Sequence, residues 1–221
     1  MQWDWGFTAE ILPQMLWATL NTLMAAGIGY AIAAAVGLLL AVAQRTPFQT
    51  LTVIVREVVE FVRSTPLVLQ IFFVYYVGPE YGVSLSPWVA GMIAIGLHYA
   101  AYLSEVYRGG IESVAKGQWE ACTALNLTTM QTYRRIILPQ ALPPSVAGMG
   151  NYLVGIFKDT PMLSVIGVAE LMQAANAIGG QNYRYLEPYT IVGVIFLLIS
   201  LISASCIRGF ETWTRRALGM Q

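Results

Sequence analysis

Five stretches of this chain contain no Asp, Glu, Lys or Arg: 11–44, 64–79, 81–104, 136–157 and 188–207. Together they cover 116 of its 221 residues. A helix rises about 1.5 Å per residue and the hydrocarbon core of a bilayer is about 30 Å thick, so roughly 20 apolar residues cross it. With 57% hydrophobic and 11% charged residues, a water-soluble domain would lack the polar surface to coat itself. The reading is an all-α integral membrane protein.

Five spans are expected, at about 16–43, 53–77, 87–107, 143–157 and 188–207. The second is less clean, because Glu57, Glu60 and Arg63 enter its first half. Glu57 and Glu60 read as structural: long side chains snorkel near an inner helix end, and Glu60 and Arg63 are spaced to pair. Span 1 is rich in Ala and Gly, which lets helices approach closely in lipid and predicts that it packs against protein. Residues 162–187 are too polar for a sixth span, and predict a short amphipathic helix at the outer face ended by Gly179-Gly180. The N-terminus lacks a basic region, and its first apolar run is too long for a signal peptide, so it is expected to stay in the mature chain.

Lys and Arg near span ends set sidedness. Nine of the 12 basic residues fall on alternate connections: Arg45 and Arg56; Arg108, Lys116, Arg134 and Arg135; Arg208, Arg215 and Arg216. These belong to the cytoplasm, which puts the N-terminus outside and the C-terminus inside. Net charge is zero, with no basic block, so nucleic acid is not an expected partner. Cys122 and Cys206 form no CxxC, and His98 is the single histidine, so neither metal nor cofactor is expected. No nucleophile–base set stands out, and no catalytic residue is assigned.

The most informative connection lies between spans 3 and 4. Residues 117–139 read as two short helices joined at a turn. Trp119, Ala121, Cys122 and Leu125 form an apolar side, Asn126 suits a left-handed helix end, Thr128 or Thr129 caps the next helix, and Pro139 separates the unit from span 4. Such a knuckle at the inner surface is a docking element.

Here the chain resembles the permease subunits of bacterial ABC importers, marked by Glu-Ala-Ala, three residues, Gly, nine residues, Ile, one residue, Leu-Pro. Glu120, Ala121, Ile136, Leu138 and Pro139 match, while Cys122 replaces the second Ala and Asn126 the Gly. Three further runs resemble the polar amino-acid (His/Gln/Arg-type) branch: Arg63-Ser64-Thr65-Pro66-Leu67-Val68-Leu69-Gln70, the run from Ala100 to Ile111, and Asn151 through Lys158-Asp159-Thr160-Pro161 to Ser164. His98-Tyr99-Ala100-Ala101-Tyr102 and Ala124-Leu125-Asn126-Leu127 look most like permeases for ectoine and hydroxyectoine.

The resemblance implies a type I (MetI-like) permease fold of five spans. It implies one transmembrane domain over 1–221, with a coupling loop at about 112–139, in the bacterial inner membrane. It also implies a cytoplasmic ABC ATPase dimer, a second permease subunit, identical or sister, and an extracytoplasmic solute-binding protein. The solute would be a polar amino acid or a related zwitterion such as ectoine or hydroxyectoine. No P-loop occurs in the chain, so ATP hydrolysis is expected in the partner and this subunit is not an enzyme. Glu120, Ala121, Leu125, Asn126 and Leu127 would seat the ATPase, against ordinary solvated-helix and turn roles.

Polar groups at membrane depth usually face protein or water. Gln70, His98, Asn151, Lys158 and Asp159 are the pathway candidates, against interhelical hydrogen bonding for Gln70 and Asn151 and simple packing for His98. Lys158-Asp159-Thr160-Pro161 suggests a kink and a gate, against an ion-paired helix terminus. The alternative function is an ion-coupled secondary transporter working without an ATPase. That class calls for an intramembrane acid relay or internal repeats, and no repeat is present.

Overall fold

The computed structural model describes the backbone of residues 3–217 and the side chains of 3–210 and 212. The side chains of Arg215 and Arg216, counted above for sidedness, lie outside the described residues, as do Met1 and Gln2. Every regular element among the described residues is helical.

Helix α1 (Trp5–Ala43) opens on Asp4, whose Oδ1 accepts from the N–H groups of Gly6 and Phe7 at 2.9 and 3.1 Å. This satisfies two donors that a helix start leaves open. Its small residues lie on one stripe, Ala25, Gly29, Ala33, Gly37 and Ala41, all buried. The stripe packs against α4 (Pro87–Glu112) in a parallel arrangement. A Cβ on Gly37 would sit 2.9 Å from the Ala100 carbonyl oxygen, and one on Gly96 would sit 2.5 Å from Ile32 Cγ2. Span 1 is packed against protein, as its composition predicts. Helix α9 (Leu186–Ala217) is the opposite case, with Leu197, Leu198, Leu201 and Ile202 all more than half exposed.

Helices α1, α4 and α9 are each long and apolar enough to cross a bilayer. The other expected spans are bent, and the count reaches five only if each bent pair crosses as one unit. Helix α2 (Gln49–Ser64) stops at Thr65, which is extended before Pro66 as proline demands of its predecessor. Helix α3 (Leu67–Phe72) then departs at 107° and runs on through a π-turn, Phe73–Val77, and a 3₁₀ turn, Gly78–Tyr81. The Glu60–Arg63 pair forms at 3.5 Å on the last turns of α2.

Helix α5 (Lys116–Ala124) is followed by one turn, α6 (Thr129–Gln131). A π-turn, Thr132–Ile137, leads into α7 (Leu138–Asp159), which tightens to 3₁₀ over Thr160–Ile166. Pro139 therefore does not separate the knuckle from span 4. The wide turn before it absorbs the hydrogen bond that proline cannot donate, and the helix passes through.

Helix α8 (Leu171–Asn182) follows a 46° bend. Leu171, Ala175 and Ile178 pack with Ile11, Met15 and Ala18 of α1 and with Ile191 and Val192 of α9. The buried Glu170 caps α8 by accepting from the N–H groups of Met172 and Gln173 at 2.9 and 2.7 Å. Gly179 and Gly180 do not end this helix. It runs to Asn182 and closes on Tyr183 at φ 53°, and Gly179 instead makes room for the Tyr185 ring. Arg184 bridges Asp4 and the buried Glu187, tying the start of α1 to the start of α9.

Candidate functional site

Two places gather the residues singled out above. The first is the knuckle at 116–131. Asn126 has φ 51°, in the left-handed region. Its N–H bonds the Thr123 carbonyl at 3.0 Å, and the Leu127 N–H reaches back to Cys122 at 3.1 Å. These two bonds make a Schellman helix end. Thr128 and Gln131 then cap the next helix reciprocally, with side chain to backbone bonds of 3.3 and 3.0 Å.

Cys122 faces inward at 4% exposure, a role that a small residue fills without strain. Trp119 stands edge-on to Tyr133 at 5.5 Å, and both pack on a cluster of Ile111, Val114, Ile137 and Ala141. The Arg45 guanidinium lies 5.9 Å from the Trp119 ring centre and joins the end of α1 to the knuckle. Glu120, Ala121, Leu125 and Asn126 are exposed and Leu127 is half-buried. Leu125 and Met130 leave 71% and 73% of their surface uncovered, an apolar tip on a rigid turn. The described residues offer Glu120 no ion pair with a loop arginine.

The second place is a groove of about 590 Å³ between α4 and α7. Helix α4 lines it with His98, Tyr99, Tyr102 and Val106, and α7 with Gly148, Asn151, Tyr152, Gly155 and Asp159. Tyr99 donates its hydroxyl to Asp159 at 2.7 Å. Gly155 allows this closeness, since a Cβ there would sit 3.0 Å from the Tyr99 hydroxyl. Tyr99, Tyr102 and Tyr152 pack with centroids 5.3–6.1 Å apart, and His98 lies against the first two.

Gln70 reaches this cluster from the break in span 2. Its Nε2 donates to the Val62 carbonyl at 2.8 Å, closing the open end of α2, and its Oε1 lies 3.1 Å from His98 Nδ1. With the Gln70 amide nitrogen committed as donor, His98 must carry a proton on Nδ1.

Of the pathway candidates, His98, Asn151 and Asp159 line the groove and Gln70 orients His98, whereas Lys158 is exposed outside it. The three tyrosines escape sequence reading. Tyr99 and Tyr102 share a helix face with His98, but that Tyr152 meets them from α7 follows only from the packing. A carboxylate among aromatic faces holds a cationic group, while phenol and amide donors hold an anionic one. No cluster of possible metal ligands occurs among the described residues.

The family model described as "binding-protein-dependent transport system inner membrane component" matches residues 33–216. The chain belongs to this family. Among proteins similar to it is the probable amino-acid ABC transporter permease protein y4tG of Sinorhizobium fredii, 41% identical, with 93% of this chain and 91% of that protein covered. Among solved structures, one chain of an amino acid ABC transporter with histidines superposes with a TM-score of 0.91 at 28% identity, covering 96% of this chain and 99% of that one. A chain of the inward-facing MetNI methionine ABC transporter superposes at 0.72 with 22% identity, covering 92% and 96%. At that identity the likeness speaks for the fold alone, and the fold of this inner membrane component is the all-helical MetI-like permease fold.

Proposed function

We propose that this chain is the permease subunit of an ATP-driven importer for amino acids or a related zwitterion such as ectoine or hydroxyectoine, seated in the bacterial inner membrane with its N-terminus outside and C-terminus inside. A cytoplasmic ABC ATPase dimer would grip the tip formed by Glu120, Ala121, Leu125, Asn126 and Leu127 within the coupling loop at about 112–139. A second permease subunit, identical or sister, would complete the pathway, and an extracytoplasmic solute-binding protein would deliver the solute.

The observation that carries the solute class is Asp159 among the tyrosines. Its carboxylate pairs with no cation among the described residues, and one hydroxyl holds it beside three aromatic rings. The ammonium end of a zwitterion fits there. Asn151, Tyr152 and His98 line the same groove and supply polar contacts for the other end.

The test is uptake of labelled L-amino acids and ectoine into vesicles holding the complete system, with ATP supplied and ion gradients collapsed. Uptake should persist under those conditions, and its loss would favour an ion-coupled carrier. Asp159→Asn should lower uptake about 10- to 100-fold, the weight of a charge-assisted contact of about 1.5–3 kcal/mol.

A further inference from the structure

Beside the last turns of α4 lies a second cavity, of about 330 Å³, between them and α2. Three arginines and three glutamates line it: Arg56, Glu60 and Arg63 from α2, and Glu105, Arg108 and Glu112 from α4. It sits at the end of α4 that leads into the knuckle, on the side assigned to the cytoplasm. One lining residue of each touches the other. Tyr102 lines the groove, Arg63 lines the charged chamber, and the Arg63 guanidinium lies 5.4 Å from the Tyr102 ring centre. The Tyr102 hydroxyl donates to the Arg63 carbonyl at 3.2 Å.

Arg63 and Arg108 are held very differently. Arg108 is clamped by Glu105 at 2.5 Å and Glu112 at 2.7 Å. Besides the Tyr102 ring, Arg63 has one long ion pair among the described residues, to Glu60 at 3.5 Å, and its Nε is buried there without a hydrogen-bond partner. A guanidinium parked on a ring with a donor unpaired is poised to leave for a better acceptor. It also stands two residues before Thr65, where the chain turns through 107°. Any swing of α2 about that break moves Arg63 relative to Tyr102.

We propose that the Arg63–Tyr102 pair is a gate on the solute path, shut as seen here, between the aromatic groove and the mixed-charge chamber. With Arg63 displaced, a zwitterion passes inward from rings and one carboxylate to a chamber offering both guanidinium and carboxylate partners. This inference rests on the groove lying on the solute path, as proposed above.

Thiol accessibility tests it, in inside-out membrane vesicles from cells carrying the complete transport system. The chain carries Cys122→Ala and Cys206→Ala, with Asn151→Cys as the reporter in the groove. A membrane-impermeant methanethiosulfonate on the cytoplasmic side should label the reporter about tenfold faster once Arg63→Ala or Tyr102→Leu is added, the effect of about 1.4 kcal/mol on the shut state. Arg63→Lys, which keeps a cation near the ring, should label at the parent rate. If Arg63→Ala does not accumulate in the membrane, Arg63→Gln gives the same reading with the length retained. Unchanged labelling in both the Arg63 and Tyr102 variants overturns the gate. Protection of the reporter by L-glutamine, L-arginine or ectoine is measured alongside. Faster labelling without protection by any of them upholds the gate and removes the groove as the solute's seat.

Discussion

At φ 51° Asn126 holds a conformation that costs an ordinary L-residue about 1–2 kcal/mol and a β-branched one more. Asn126→Val should therefore loosen the turn that presents Leu125, while Asn126→Gly should preserve it. The check is ATPase pull-down and stimulation in detergent: the valine chain should insert normally yet retain its ATPase several-fold less well, and the glycine chain should match the parent. Gln70 shows a second residue-scale effect. One amide closes the Val62 carbonyl at the break and accepts toward His98, so a side chain that reads in sequence as a pathway group also holds the bend. Gln70→Leu leaves the Val62 carbonyl only its longer bonds from Thr65 and takes the acceptor from His98 Nδ1, and should cost about 1–3 kcal/mol, read as a lower midpoint of thermal unfolding.

The α1–α4 seam shows what an element's composition decides. Residues four apart share a helix face, and the run from Ala25 to Ala41 places a small residue at each of five successive turns on the buried side. Gly37→Leu would drive a side chain into the Ala100 carbonyl, a backbone atom that cannot yield, and should cost about 1–3 kcal/mol of stability. Gly27→Leu, where a Cβ would have no atom within 4 Å, should leave the unfolding midpoint unchanged. The bends are less legible at this scale. Pro66 is visible within span 2, yet the sharp turn past it is also held by Gln70, which reaches back to Val62, and by Tyr102, which bonds the Arg63 carbonyl from a distant helix. Pro139 goes the other way, since a π-turn takes up the missing bond and keeps the helix whole.

Across the whole molecule, the knuckle and the α8–α9 turn mark opposite ends. Leu125 and Tyr183 are 71% and 81% exposed, one on each. Single cysteines placed there, in a chain lacking Cys122 and Cys206, should label from opposite sides of intact cells: Tyr183→Cys with an impermeant reagent outside, and Leu125→Cys only once the cytoplasm is opened. Labelling of both from outside would reverse the orientation and remove the ATPase seat. At the α8–α9 end the ties among Asp4, Arg184 and Glu187 join chain positions 180 residues apart. Arg184→Ala should lower the unfolding midpoint more than Arg208→Ala, because it takes the cation from the buried Glu187 carboxylate and leaves it the Asp4 N–H at 3.2 Å.

Membrane residence, the small-residue face of span 1 and the capped knuckle around Asn126 are all readable from the chain alone. Each rests on a local rule: the charge-free length needed to cross lipid, the four-residue repeat of a helix face, the few side chains that tolerate a left-handed turn. The aromatic groove, the charged chamber and the contact between them are not readable. They depend on which faces of α2, α4 and α7 come together, and that is set by close packing at glycines and by two bends whose angles no local rule dictates. Tyr152 and Asp159 meet Tyr99 only because α7 lies against α4 at Gly155 and Gly148, where a side chain would hold the helices apart.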